Sequence, residues 1–279
     1  MFRGIRIALA AALAAALAAP AAVAHAADTT FAGRRGGVSD FSGDGFADVL
    51  GIDASGRLLY YPNNGLQLSG PLQIGTGWSN FRHVKAGDWS GDGFADVLGI
   101  DTDGKLFYYP NNGGRLDGPI GFGQFAWATR HLAVADWSGD GHADLLVVDA
   151  TTGNLLYIPN QGNRPAPTGQ VIGVGFASLP HVVAADWSGD GFADVIGADS
   201  NGDLWYYPHQ GSGLGARQRI GQGWQGFRFI RAMDFSGDGF ADVIGADASG
   251  NLWYYPHQGA GLGARQQIGS GWGGFQNIL

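Results

Sequence analysis

The 279-residue sequence contains no cysteine and no glutamate, and only two methionines. Without cysteine no disulfide braces the chain, and neither a thiolate zinc site nor a cysteine nucleophile is available. Without glutamate, all 24 acidic residues are aspartate. A solvated surface normally uses both acids, so aspartate alone points to carboxylates wanted on a short arm, as turns and oxygen-ligand metal loops require. Lysine and arginine together number only 16, for a formal net charge of −8. That balance argues against nucleic acid as a partner, because such binding depends on basic surface. Long apolar runs are also missing after the first residues, so the sequence predicts no membrane span.

The N-terminal stretch stands apart. Arg3 and Arg6 precede an apolar run from Ile7 to Ala19, Pro20 interrupts it, and Ala24-His25-Ala26 forms a small-x-small cleavage pattern. This is the organisation of a signal peptide over residues 1–26, with cleavage after Ala26 and secretion of the remainder. Residues 27–279 are then expected to form one large all-β domain.

What the chain has in abundance is repetition. A nine-residue motif starts at Asp40, Asp88, Asp136, Asp186 and Asp234, a period close to 48 residues. The second copy reads Asp88-Trp89-Ser90-Gly91-Asp92-Gly93-Phe94-Ala95-Asp96. Each copy predicts four short strands: 81–87, 95–101, 105–110 and one beginning at 119, divided by Gly-, Asn- and Asp-rich turns. Four antiparallel strands per repeat, five times over, predict a five-bladed β-propeller. The segment from Phe275 to Leu279 aligns with a first strand that has no blade of its own. It is expected to close the ring by supplying the inner strand of the first blade.

Within each motif, positions one, five and nine are Asp, position three is Ser, and positions four and six are Gly. Calcium takes six to eight oxygen ligands, and glycine permits the backbone to curl around an ion. The expected ligand sets are Asp40, Ser42, Asp44, Asp48 with the carbonyl of Phe46; Asp88, Ser90, Asp92, Asp96 with Phe94; and Asp136, Ser138, Asp140, Asp144 with His142. The remaining two are Asp186, Ser188, Asp190, Asp194 with Phe192, and Asp234, Ser236, Asp238, Asp242 with Phe240. About five Ca²⁺ ions are therefore expected, since three close carboxylates repel unless a cation sits among them. The alternative is a set of Asp-Gly turns capped by side-chain hydrogen bonds. A fourth recurring aspartate (Asp53, Asp101, Asp149, Asp199 and Asp247) opens an Asp-x-x-Gly turn and reads as structural.

The Asp-x-Ser-Gly-Asp-Gly-x-x-Asp loop followed by Val-Leu or Val-Ile resembles the FG-GAP/VCBS repeats of integrin-like and bacterial secreted propellers. That resemblance covers essentially all of residues 27–279 and implies calcium in the loop between neighbouring strands. A second resemblance lies in Ile74-Gly75-Thr76-Gly77-Trp78-Ser79-Asn80-Phe81, which recurs over 220–227 and 268–275. It looks like the blade junction of five-bladed tachylectin-type lectins, which implies binding of N-acetylated sugars between blades. The third junction lacks the Trp and is two residues longer, and the fourth carries Phe176 in its place.

Sugar recognition needs aromatic faces for C–H groups and amides for directional hydrogen bonds. The candidates are Trp78, Trp224 and Trp272, with Asn63, Asn64, Asn111, Asn112, His209, Gln210, His257 and Gln258 after each Tyr-x-Pro. The plainer alternative packs these Trp rings between blades and uses the amides to cap turns. Nearly every polar residue recurs by symmetry and no unrepeated nucleophile–base set exists, so an enzyme is not expected. The sequence predicts a secreted, calcium-bearing, lectin-like propeller whose partners are glycans, with a structural or protein-adhesive module as the alternative.

Overall fold

The structure is a computed structural model that describes residues 39–65 and 67–279; the expected signal peptide lies outside the described residues. Twenty short strands form five four-stranded antiparallel sheets. Blade one holds β1 (Val49–Ile52), β2 (Leu58–Tyr61) and β3 (Leu72–Gly75). Blade two holds β4 (Phe81–Gly87), β5 (Asp96–Asp101), β6 (Lys105–Tyr109) and β7 (Ile120–Gln124). Blade three follows with β8 (Thr129–Ala135), β9 (Asp144–Asp149), β10 (Leu155–Ile158) and β11 (Gln170–Gly173). In blade four these are β12 (His181–Ala185), β13 (Asp194–Ala198), β14 (Leu204–Tyr207) and β15 (Gln218–Gly221). Blade five has β16 (Phe227–Met233), β17 (Asp242–Asp247), β18 (Leu252–Tyr255) and β19 (Gln266–Gly269). The last strand, β20 (Asn277–Ile278), pairs antiparallel with β1 through Gly51↔Ile278 and Ile52↔Asn277. The C-terminal segment therefore closes the ring as the sequence predicts.

Burial follows the strand order. The second strands are apolar on both faces and fully buried, as in the Val49-Leu50-Gly51-Ile52 run, because a neighbouring blade covers each side. Outermost strands such as β3 are exposed to half-buried. The core is accordingly not one centre but five wedges, each between two adjacent blades, and each built around a residue at motif position two or its neighbours, such as Trp89, Trp137, Trp187, Phe41 and Phe235.

One glycine per blade sets how closely the innermost strand approaches the next. A Cβ on Gly51, Gly99, Gly197 or Gly245 would lie within 2.7 Å of Phe275, Phe81, Leu179 or Phe227 respectively. Blade three replaces both partners together: Val147 stands at the glycine position, and Thr129 stands where the other blades carry the bulky side chain. The exchange of large and small keeps the volume roughly constant, which is what a close-packed interior demands.

Inner strands are also laced to one another around the ring axis. His83, His131 and His181 share one position, and the Nε2 of each donates to a carbonyl of the next blade: Thr129 at 3.1 Å, Leu179 at 3.0 Å and Phe227 at 3.1 Å. In blade five the same interface is held by Arg228, which donates to the carbonyl of Gly273.

Candidate functional site

The five aspartate loops gather on one face; in blades two to five each joins the first strand to the second, and in blade one the loop leads directly into β1. Position one works as a cup for backbone amides. Asp88 Oδ1 accepts from Gly91 N at 2.7 Å and Asp92 N at 3.0 Å, while Oδ2 accepts from Gly93 N at 2.9 Å. Glycines at positions four and six adopt φ of +75° and +92° in this loop, the left-handed region that lets those amides point inward. Position nine is buried and ties three segments together. Asp48 Oδ2 accepts from Phe41 N and Ser42 N, both at 3.0 Å, and Oδ1 accepts from Asn63 N at 2.8 Å. Position five caps its own turn, with Asp44 Oδ1 accepting from Phe46 N at 3.0 Å.

These carboxylates sit in strained electrostatic surroundings. Burial pushes Asp40 up to about 6 and Asp48 up to about 7, and the other aspartates of the loop push in the same direction, while the amide donors pull back. Burial likewise raises Asp96, Asp144 and Asp234 to about 6. Two observations bear on whether the loop suits a calcium ion. Ser42, Ser90 and Ser236 bury their Oγ beside the hydroxyls of Tyr60, Tyr108 and Tyr254, an oxygen-rich setting of the kind a calcium ion takes its ligands from. Against that, among the described residues no three carboxylate or imidazole groups come together as a metal-holding set. Positions one and nine turn their oxygens to amides instead, which is the Asx-capped alternative the sequence left open.

Position seven enters through its side chain. Each ring lies on the position-four glycine of the preceding blade's loop: Phe94 on Gly43, His142 on Gly91, Phe192 on Gly139, Phe240 on Gly189 and Phe46 on Gly237. A Cβ at any of these glycines would fall within 2.7 Å of the ring. Beside each ring, a main-chain bond runs the same way, from the alanine at position eight to the carbonyl of position one one blade back, as in Ala95 N to Asp40 O at 2.7 Å and Ala47 N to Asp234 O at 2.9 Å. The loops thus mesh into a continuous annulus.

The residues after Tyr-x-Pro lie beside this annulus but divide into two roles. Asn63 and Asn111 are buried, and Nδ2 of each reaches across to the previous blade, Asn63 to Phe235 O at 2.7 Å and Asn111 to Phe41 O at 2.7 Å. They are joints between blades rather than ligand groups. His209 and His257 stack flat on Phe192 and Phe240, with centroids 5.0 and 5.1 Å apart and planes within 3°. Each also meets the position-two Trp of the preceding blade edge-on, Trp137 at 4.3 Å and Trp187 at 4.4 Å. Asn64, Asn112, Gln210 and Gln258 are exposed.

Trp78, Trp224 and Trp272 correct the expectation of a sugar platform. They are 4%, 2% and 3% exposed, so their faces are closed to a ligand. Each packs on the Tyr of the neighbouring blade, Tyr109 at 4.6 Å, Tyr255 at 4.5 Å and Tyr61 at 4.6 Å. The left-handed glycine before each, φ +84° at Gly77, Gly223 and Gly271, starts the short 3-10 turn that folds the indole inward. Phe176 does the same in the fourth junction. Of the sequence candidates, what remains available on the surface is the ring–amide pairing at the annulus. It comprises a position-seven ring and the exposed amide that follows the Asn or His beside it, as Gln210 follows His209.

The FG-GAP-like repeat is matched by four overlapping stretches of the chain, residues 40–99, 88–147, 136–197 and 186–245. No curated protein matches the sequence. Among solved structures, a lectin of Agrocybe aegerita, described as recognising non-reducing terminal N-acetylglucosamine, aligns at 20% identity with a TM-score of 0.48 over 84% of this chain. This chain spans 65% of that lectin's length. AofleA of Arthrobotrys oligospora aligns at 14% identity with a TM-score of 0.47, over 80% of this chain and 70% of its own.

Proposed function

The chain belongs to the FG-GAP-like repeat family, and from that premise we propose that it is a non-enzymatic, multivalent carbohydrate-binding propeller whose sugar sites lie on the aspartate-loop face. The observation that carries this reading is the flat Phe192–His209 and Phe240–His257 pairs, each flanked by an exposed glutamine, Gln210 or Gln258. An aromatic surface held rigid from below accepts sugar C–H groups, and the amide supplies both a donor and an acceptor to neighbouring hydroxyls. Related stations stand at Phe46 with Asn64 and at Phe94 with Asn112. Weak sites repeated around one face gain by avidity when the target surface is itself repetitive.

The test is a glycan array that includes terminal N-acetylglucosamine, run with the wild type and with Phe192→Ala/Phe240→Ala. The reading expects glycan binding that the double variant loses while its far-ultraviolet spectrum is kept. Failure of the wild type to bind any glycan would leave the structural or protein-adhesive module as the better account, a role favoured by how completely the buried amides and indoles serve blade packing.

Calcium is a separate part of the proposal. The supporting features are the oxygen-only donor set, its fivefold recurrence and the buried position-three hydroxyls of Ser42, Ser90 and Ser236. The residues that would hold the ion are the position-three Ser, the aspartates at positions one, five and nine, and the position-seven carbonyl. A bound ion would supply charge neutralisation to the loop. Elemental analysis of the purified protein, together with melting curves with and without chelator, tests it: unchanged melting and no bound metal would remove calcium from the account. Export likewise rests on residues 1–26 alone, and the N-terminal sequence of protein recovered from the medium tests it.

A further inference from the structure

The inner strands carry an arrangement that neither the aspartate loops nor the sugar stations use. Two residues beyond the histidine level, on the same side of each strand, stand Lys85 on β4, Ala133 on β8, Val183 on β12, Arg231 on β16 and Leu279 at the end of the chain. Two of these five are cations, in a protein of formal charge −8. Lys85 and Arg231 are close enough that the charge of Arg231 acts on Lys85, and Lys85 in turn acts on His83, His131 and His181. Arg130 and Arg82 complete the set of charges felt by these histidines. All of these groups are bases, and no aspartate is among the main influences on Lys85, Arg231 or the three histidines.

Lys85 and Arg231 are half-buried, and an unpaired cation even partly withdrawn from water is costly, so proteins normally place a carboxylate beside it. Neither Lys85 nor Arg231 has an ion-pair partner among the described residues. Arg231 directs Nη1 to its neighbour's carbonyl at Ile230 and Nη2 to Asn277 Oδ1 at 2.7 Å, and Asn277 is itself pinned to Val84 O at 3.0 Å. That leaves Arg231 Nε buried with no acceptor. The Lys85 ammonium likewise has no hydrogen-bond acceptor among the described residues, and burial together with Arg231 pushes its proton affinity well below the ordinary lysine range. A cavity of about 140 Å³ opens on the Lys85 side, lined among others by Arg82, His83, Lys85 and Asn277; Arg231 is outside its wall and stands behind Asn277, to which it donates. That is room for a small ion with some of its water.

We propose that this cavity among the inner strands binds a small oxyanion, sulfate- or phosphate-like, on Lys85, with Arg231 behind Asn277 adding its charge. Guanidinium and ammonium donors suit such an anion, because charge-assisted hydrogen bonds to oxyanion oxygens are the strong ones. Lys85 and Arg82 come from blade two and Asn277 from the closing strand, so the anion would sit where blade two meets the strand that completes blade one. The same chemistry is met in a free inorganic ion and in the sulfate or phosphate ester of a sugar.

The experiment is isothermal titration of the intact protein with inorganic sulfate, inorganic phosphate and a sulfated monosaccharide, at ionic strength balanced with chloride. It is paired with melting curves of the wild type and of Lys85→Met/Arg231→Met. Lys85→Met and Arg231→Met remove unpaired charges, so the variant is expected to fold and to melt higher than the wild type in chloride. The wild type is expected to bind at least one oxyanion and to be stabilised by it, and the double variant to lose that affinity by about tenfold or more. Binding of the inorganic ions identifies a free ion as the ligand, and binding of the sulfated sugar alone identifies an ester. Two results overturn the proposal: no binding of any of the three probes, or an equal melting response in wild type and variant, which would be the general stabilisation that excluded salts give every protein. Neither result depends on whether glycans bind at the loop face.

Discussion

Replacing Gly189 by alanine tests the meshing of the loops in a way that separates its physical parts. Gly189 has φ +75°, and a Cβ there would lie 2.5 Å from Cε1 and 2.9 Å from Cδ1 of Phe240. The left-handed backbone alone costs an alanine about 1 kcal/mol. Phe240 is 37% exposed, so its ring can swing outward rather than jam. Doing so forfeits the flat contact with His257 at 5.1 Å, worth about 1 kcal/mol. Gly189→Ala is therefore expected to destabilise by about 2 kcal/mol, and Phe240→Ala by about 1 kcal/mol. Because the stack is lost only once, the double variant should cost about 2 rather than 3 kcal/mol, a coupling of about 1 kcal/mol. Gly191→Ala supplies the backbone cost by itself, since its φ is +88° and nothing lies within 4 Å of the added methyl. Urea titrations with an unchanged m-value read all four differences. Strict additivity of the two substitutions would refute the claim that the ring and the glycine are fitted to each other.

Other outcomes follow from the same geometry. Asn111→Ala, which orphans the carbonyls of Phe41 and Ala95, is expected to cost about 2–3 kcal/mol in chemical denaturation, whereas exposed Asn112→Ala should change stability by less than about 0.5 kcal/mol. His131 is held neutral, pushed down to about 4 by burial, so the unfolded chain takes up its proton first. The stability of wild type relative to His131→Asn should hold above pH 6.5 and decline as the pH falls from there towards 4, by about 1–2 kcal/mol once partial exposure is allowed for; a difference that stays flat through that window contradicts the assignment. Removing residues 277–279 strips β1 of its inner partner and leaves a bare edge, which size-exclusion chromatography should register as association or loss of the monomer.

The ring itself was readable from the chain because its causes are local and repeat. A 48-residue period, Gly-rich turns and apolar runs of strand length determine blades, and the overhanging Phe275–Leu279 segment identifies the closing strand. The roles of individual side chains were harder, because they are decided between blades. Trp78 and Asn63 are residue types that serve equally on a surface or in an interface, and only the Tyr61, Tyr109 and Tyr255 rings of adjacent blades, or a carbonyl 172 residues away such as that of Phe235, decide the matter. The aspartates show the same limit. Their spacing suits an ion or a set of amide caps, and which one dominates depends on rotations about two bonds per side chain that no spacing encodes. Val147 and Thr129 are the legible exception, since both depart from the repeat in the same copy.

The meshing of position seven onto the previous blade's glycine has a direction, and direction has a consequence for assembly. Every blade offers a ring and an amide to the blade before it and receives them from the blade after it, so the contact is head-to-tail and identical in kind at all five junctions. Nothing in such a contact counts to five; closure is set by the angle between successive blades. A shortened chain of two or three repeats would expose an unmated glycine loop at one end and an unmated ring at the other. Those ends fit each other, so fragments of this protein should recruit further copies until a circle is complete.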